Sequence, residues 1–327
     1  MQFTAATYVT LLILNSIKNY FLSNFPILKC VYPCDSNSKK VAIIVPGQCQ
    51  FVAYQTGLLC TLIQHSKYRT RKDVWNRVVF RGFSSGSISG FLASVTAELP
   101  GVMTSELILN KLIIPFYDKV KSGINPGMNL SYSYIQDLLT VLIASTGPLE
   151  RFPNIFTRLC IMSTRLDRPN KIMTTESFKT TVTTYIDDIK ASINLPGVVT
   201  SLSKKGFIHT NGNEYVDSFI ADAYSPIIGS DCAGRVICTA TASAYKEIGM
   251  PNVNLCEFDT EKCPVIYASG GVYDILGSSD DREGFAEYGY LMFSSKSDPV
   301  LLFNHGVSVA NRFQTSFDEL LTKALKL

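Results

Sequence analysis

Val41–Val45 (VAIIV) is an unbroken apolar run that ends at Pro46-Gly47, and Val78–Phe80 is a second one, bounded by Arg77 and Arg81. Neither alternates with polar residues, which is the pattern of strands buried on both faces of a mostly parallel sheet. Between them Ala53, Gly57, Leu58 and Leu62 recur at helical spacing, so strand, helix and strand make a βαβ unit. Ser85 to Val95 reads as the next helix, with Gly86, Gly90 and Ala93 on one small-residue face that permits close approach to the sheet. Ile135, Leu138, Leu139, Leu142 and Ile143 form an amphipathic stripe, as do Val182, Tyr185, Ile186 and Ile189. Strands are expected at Leu159 to Ser163, Val236 to Ala240, Val265 to Ala268 and Val300 to Phe303. Alternation of this kind defines an α/β class in which helices cover a central, mostly parallel sheet in three layers.

The ends of the chain are less regular. Phe3 to Leu14 (FTAATYVTLLIL) is apolar but too short to span a bilayer. It fits a helix packed on the domain, an uncleaved helix lying in a membrane interface, or the core of a signal peptide. No Lys or Arg precedes it and no A-x-A-like site follows it. Residues 1–40 are therefore read as an N-terminal extension and residues 41–327 as one α/β domain. Asp280-Asp281-Arg282-Glu283 reads as a solvated loop.

Composition narrows the function classes. With 46% hydrophobic and 17% charged residues among 327, the chain is too apolar for disorder and long enough to bury a full core. The net charge is +3 and the basic residues are scattered rather than striped, which excludes nucleic acid as a partner. The nine cysteines lack paired C-x-x-C spacings, which argues against a zinc site. Most have apolar neighbours and read as buried thiols; Cys30 with Cys34, or Cys256 with Cys263, would pair only in a secreted protein. The expected location is cytoplasmic or membrane-associated, with secretion left open.

Gly82-Phe83-Ser84-Ser85-Gly86 is a G-x-S-x-G directly after a buried strand and directly before a helix. A strand-to-helix turn that tight exposes the central serine, requires glycine on either side, and aims a helix N-terminus at developing negative charge. Ser84 is the candidate nucleophile; the plain alternative is a Gly/Ser-rich connecting turn. Its base has two readings. Ser84, Asp217 and His305 follow the chain order of an α/β-hydrolase triad, the other histidines being His65 and His209. Alternatively an aspartate activates the serine directly. Cys49, with no basic neighbour in sequence, reads as a structural thiol.

Four blocks together resemble the patatin-like acyl hydrolases: Val41 to Leu59, the elbow Gly82 to Gly86, Ala191-Ser192-Ile193-Asn194-Leu195-Pro196-Gly197, and Tyr215-Val216-Asp217. They match in order and approximate spacing that family's oxyanion loop, its elbow, its A-S-x-x-x-P block and its dyad aspartate, and Ser225-Pro226 resembles the proline that follows. The resemblance implies a patatin-like three-layer fold and a phospholipase A-type serine esterase without cofactor. Its phospholipid or other acyl-lipid substrate would be cleaved by a Ser84–Asp217 dyad. The oxyanion would lie on the Gly47, Gln48 and Cys49 loop. The chain departs from the family at two places. Where the family loop resembles G-G-G-x-R-G-A-Y, this chain reads Gly47-Gln48-Cys49-Gln50-Phe51-Val52-Ala53-Tyr54, and Ser218 stands where the family has glycine after the aspartate. Asp222 is a fallback acid. These departures carry a rival expectation: a catalytically impaired protein of the same fold that binds lipid or a partner.

Overall fold

The computed structural model describes residues 30–32, 35–48, 51–123, 132–166, 173–194, 206–218, 231–239, 256–258, 264–269 and 298–327. Phe3 to Leu14, the Asp280 cluster, Cys34, Cys263, Asp222 and Ser225-Pro226 lie outside them. The strands are β1 (Cys30–Tyr32), β2 (Val41–Val45), β3 (Val78–Phe83), β4 (Leu159–Leu166), β5 (Met173–Lys179), β6 (Phe207–Ile208), β7 (Glu214–Val216), β8 (Gly234–Thr239), β9 (Cys256–Phe258) and β10 (Val265–Ser269). Strands β1 and β9 pair in parallel as a separate ribbon. The main sheet has eight strands and is mixed, in the order β10-β8-β2-β3-β4-β7-β6, with β5 also on β4. Its centre, β10-β8-β2-β3-β4, is parallel. The unbroken runs of β2 and β3 sit there, and all five residues of β2 are buried.

Helices α1 (Val52–His65), α2 (Ser85–Glu98), α3 (Ser133–Thr146), α4 (Tyr185–Ser192) and α5 (Pro299–Leu325) follow the strands that precede them in the chain. Helices α1 and α5 run side by side in the same direction: Gly57 meets Phe303, Gln314 donates to the Leu62 carbonyl, and Ser66 donates to Asp318. A Cβ on Gly57 or on Gly306 would strike the backbone of the other helix, so the pair is as close as two helices come. The N-termini of α1, α2 and α5 consequently lie toward the C-terminal edge of the parallel strands. The helical stretch Ser105–Leu107, Ile108–Ile113, Ile114–Gly123 contains a π turn at Ile108–Ile113. Its Tyr117 hydroxyl accepts the N–H of Ala53 at 3.2 Å and so satisfies a donor in the first turn of α1. Among the described residues no helix is long and apolar enough to cross a membrane.

One expected strand is corrected. Val300 to Phe303 is not a strand but the first turn of α5. The Asp298 side chain accepts from the N–H groups of Val300 and Leu301, and Pro299 occupies the first helical position. That Asp-Pro start outweighs four apolar residues in a row. In the other direction β5 (MTTESFK) is a strand too polar to announce itself, held on Cys160 to Leu166 of β4 by antiparallel pairing.

Candidate active site

Strand β3 ends at Phe83, and Ser84 then turns the chain into α2 with φ 53° and ψ −136°. Only Ser84 and Lys326 among the described non-glycine residues have positive φ. An L-residue there costs roughly 1–2 kcal/mol and persists only where its surroundings enforce it. The flanking glycines are sterically required. A Cβ on Gly82 would stand 2.5 Å from the Gly86 carbonyl oxygen, and one on Gly86 would collide with the Val45 carbonyl oxygen. Gly47, after β2, lies directly on the nucleophile candidate: a Cβ there would stand 2.5 Å from the Ser84 Cβ. The turn is closed by Ser87, whose N–H and hydroxyl both donate to the Ser84 carbonyl, at 3.0 and 2.6 Å.

Asp217 is placed by register. Along one edge of β4, β3 pairs through Leu159 to Met162, with Phe83 opposite Met162. Strand β5 takes the other edge over Cys160 to Leu166. Strand β7 pairs antiparallel with Thr164 and Arg165, on the edge that β3 has vacated, with Val216 opposite Thr164. The residue after Phe83 and the residue after Val216 therefore approach Ser163 from opposite directions. Those residues are Ser84 and Asp217. Ser84 is half-buried and Asp217 is buried. The Asp217 N–H donates to the Asn194 carbonyl at 2.8 Å, and the Ser84 N–H donates to Ser192 Oγ at 2.9 Å.

The Gln48 N–H donates to Ser85 Oγ at 2.8 Å, and Gln48 accepts the N–H of Phe51 on its carbonyl. Gln55 Nε2 donates to the Pro46 carbonyl at 2.7 Å, bracing the loop from α1. Cys49 lies outside the described residues. At the elbow itself the backbone N–H of Ser85 opens α2, where the helix offers it no internal partner. Ser218, in the glycine position after the acid, is buried with its Oγ unpaired among the described residues.

His65 Nδ1 faces Asn311 Oδ1 at 3.2 Å, and the His305 ring lies against Tyr54 with centroids 5.7 Å apart. His209 is buried, and its Nδ1 accepts the N–H of Asn211, so its Nε2–H donates to Asp188 Oδ1 at 2.7 Å. Its ring stacks on Phe178 at 4.8 Å. Burial pushes the Asp188 carboxyl above its ordinary range, against the opposing pull of hydrogen bonds from His209 and Thr184. A carboxyl raised above its unfolded value of about 3.9 contributes stability below that pH and loses it as pH rises through the folded pKa. The Tm of Asp188→Asn minus that of wild type is therefore expected to increase between pH 4 and 7; a constant difference in thermal melts would contradict this.

The described free cysteines are Cys60, Cys160, Cys232 and Cys238. Burial pushes the Cys60 thiol up to about 12 and that of Cys232 to about 11, which leaves both inert as nucleophiles. Among the described residues no group of three His, Cys, Asp or Glu could hold a metal. The sequence marks Ser192 and Asn194 only as members of the Ala191 to Gly197 block and Ser85 only as the start of a helix; their side chains bond the elbow, the strand that precedes Asp217 and the loop after β2. No protein-family model and no curated protein matches this chain.

Proposed function

We propose that the protein is a lipid acyl hydrolase of patatin-like type, with its mixed α/β sheet at the centre of a three-layer sandwich. The observation that supports this most is the register that brings a positive-φ Ser84, on a glycine-bounded elbow after β3, and Asp217, after β7, to the same edge of β4. Ser84 Oγ attacks the carbonyl carbon of a fatty-acyl ester, the carbonyl π electrons move to oxygen, and the Ser84 proton passes to the Asp217 carboxylate. The N–H of Ser85 and the positive end of α2 face the resulting oxyanion. Collapse of the intermediate expels the alcohol, which takes the proton from Asp217. Water then repeats the sequence on the acyl-enzyme and releases the fatty acid. The substrate is a phospholipid or other acyl lipid, met at a membrane surface.

One observation favours a second reading, a lipid-binding protein of the same fold with impaired chemistry: the Gln48 N–H is already occupied by Ser85 Oγ. Losing one oxyanion donor typically costs about 10²- to 10³-fold in rate. Fatty-acid release from phosphatidylcholine vesicles, and hydrolysis of a nitrophenyl butyrate, separate the two. Wild-type protein is expected to hydrolyse at least one, and Ser84→Ala to lose that activity together with labelling by a fluorophosphonate. Vesicle binding by folded protein without hydrolysis or labelling would establish the second reading instead.

A further inference from the structure

We infer that Ser192 and Asn194 are positioning residues for the Ser84–Asp217 dyad, a brace that fixes both members from one short piece of chain; this rests on the hydrolase reading above. Ser192 closes α4, is fully buried, and uses its hydroxyl twice. Its Oγ accepts the Ser84 N–H at 2.9 Å and donates to the Met162 carbonyl at 2.7 Å. With the proton committed to Met162, a lone pair of Oγ is left for the elbow, so the orientation of this hydroxyl is determined. Met162 is the residue opposite Phe83, so the bond ties the elbow back to the strand that β3 pairs with. A strained serine needs such an anchor: its backbone conformation is held by what its N–H and C=O can reach.

Two residues on, Asn194 does the same for the acid. Its carbonyl accepts the Asp217 N–H at 2.8 Å, its Nδ2 donates to the Tyr215 carbonyl at 3.0 Å, and its Oδ1 accepts from the Tyr132 hydroxyl at 2.9 Å. Asn194 is fully buried, so each bond replaces one that water no longer provides. The backbone nitrogens of Ser84 and Asp217 are thereby held on acceptors two residues apart in sequence. Ser163 Oγ adds a cross-tie, donating within reach of both the Ala191 and Val216 carbonyls at 3.1 and 2.9 Å. Since proton transfer needs heavy atoms within hydrogen-bond reach, displacement of either residue lowers turnover without removing a substrate contact.

The test compares Ser192→Ala and Tyr132→Phe with wild type in nitrophenyl butyrate kinetics, fluorophosphonate labelling and amide hydrogen exchange. Ser192→Ala is expected to lower kcat and the labelling rate 10- to 100-fold with KM within about twofold, and to speed exchange in the peptide spanning 82–88 while sparing 214–218. Tyr132→Phe removes one bond from a half-buried position and should fold; it is expected to lower kcat two- to fivefold and to speed exchange in 214–218 alone. A kcat within twofold of wild type in both variants would overturn the brace while leaving the hydrolase reading intact. If wild type lacks Ser84-dependent hydrolysis, the hydrolase reading fails, and unchanged exchange in either folded variant still overturns the brace by itself.

Discussion

Asp217→Asn is expected to fold normally and to lose about 10²- to 10⁴-fold of the Ser84-dependent hydrolysis rate, the range a positioned general base supplies. The substitution is nearly isosteric and leaves the backbone bond from residue 217 to the Asn194 carbonyl in place. What it removes is the carboxylate that would take the Ser84 proton. At a 2%-exposed position a neutral amide is less costly to bury than a carboxylate, so Tm should fall far less than activity. The sharpest comparison is Asp188→Asn. Asp188 is also buried, at 1% exposure, and also borders the β6–β7 turn, but it is hydrogen-bonded to His209 rather than carried to the edge of β4 beside Ser84. Asp188→Asn should keep activity within about fivefold while changing the pH dependence of stability. Kinetics with nitrophenyl butyrate and melts by circular dichroism report both properties. Full activity in Asp217→Asn would remove Asp217 from the reaction and return the choice of base to His305.

The parallel core was legible because burial on both faces leaves a chemical trace: β2 and the first three residues of β3 are apolar at consecutive positions, and a strand exposed on one face would not be. The same rule failed at Val300 to Phe303, where a helix packed against α1 is equally apolar over one turn. The Asp298-Pro299 start was the signal that separates the two cases. The polar β5 was invisible because its stability comes from seven register partners on β4, a property of another segment. The tight turn at Ser84 was readable for a steric reason, since glycines on either side of a serine after a buried strand mark a chain reversal too close for side chains. Asp217 was placed by resemblance and order alone. Its delivery depends on a three-residue strand, β7, whose pairing cannot be inferred from three residues. Ser192 and Asn194 were marked as members of a block, but their bonds were hidden for the same kind of reason: a hydroxyl and an amide are informative only when the groups they bond are known.

Gly86 and Gly90 looked alike in the sequence, two small residues one turn apart on the face of α2 that meets the sheet. Substitution should now divide them. A Cβ on Gly86 would meet the Val45 carbonyl oxygen well inside contact distance and the Pro46 carbonyl oxygen at 2.7 Å. Both are main-chain atoms at the end of β2, and neither can rotate away. Relief requires α2 to move off the sheet, so Gly86→Ala is expected to destabilise by about 3 kcal/mol or more, at the upper end of overpacking costs. At roughly 2–4 °C per kcal/mol, Tm should fall by about 10 °C. A Cβ on Gly90, by contrast, would meet only the Phe80 Cβ at 3.8 Å and Val45 Cγ2 at 4.0 Å, both ordinary contacts. There the helical preference of alanine over glycine is free to act, and Gly90→Ala should stabilise by about 0.5–1 kcal/mol. Because α2 begins at the residue after Ser84, any surviving Gly86→Ala protein should also label more slowly with fluorophosphonate, whereas Gly90→Ala should label at the wild-type rate. Equal Tm values for the two variants would mean that the elbow tolerates a side chain where this backbone leaves none room, and the close passage of α2 over Val45 would have to be abandoned.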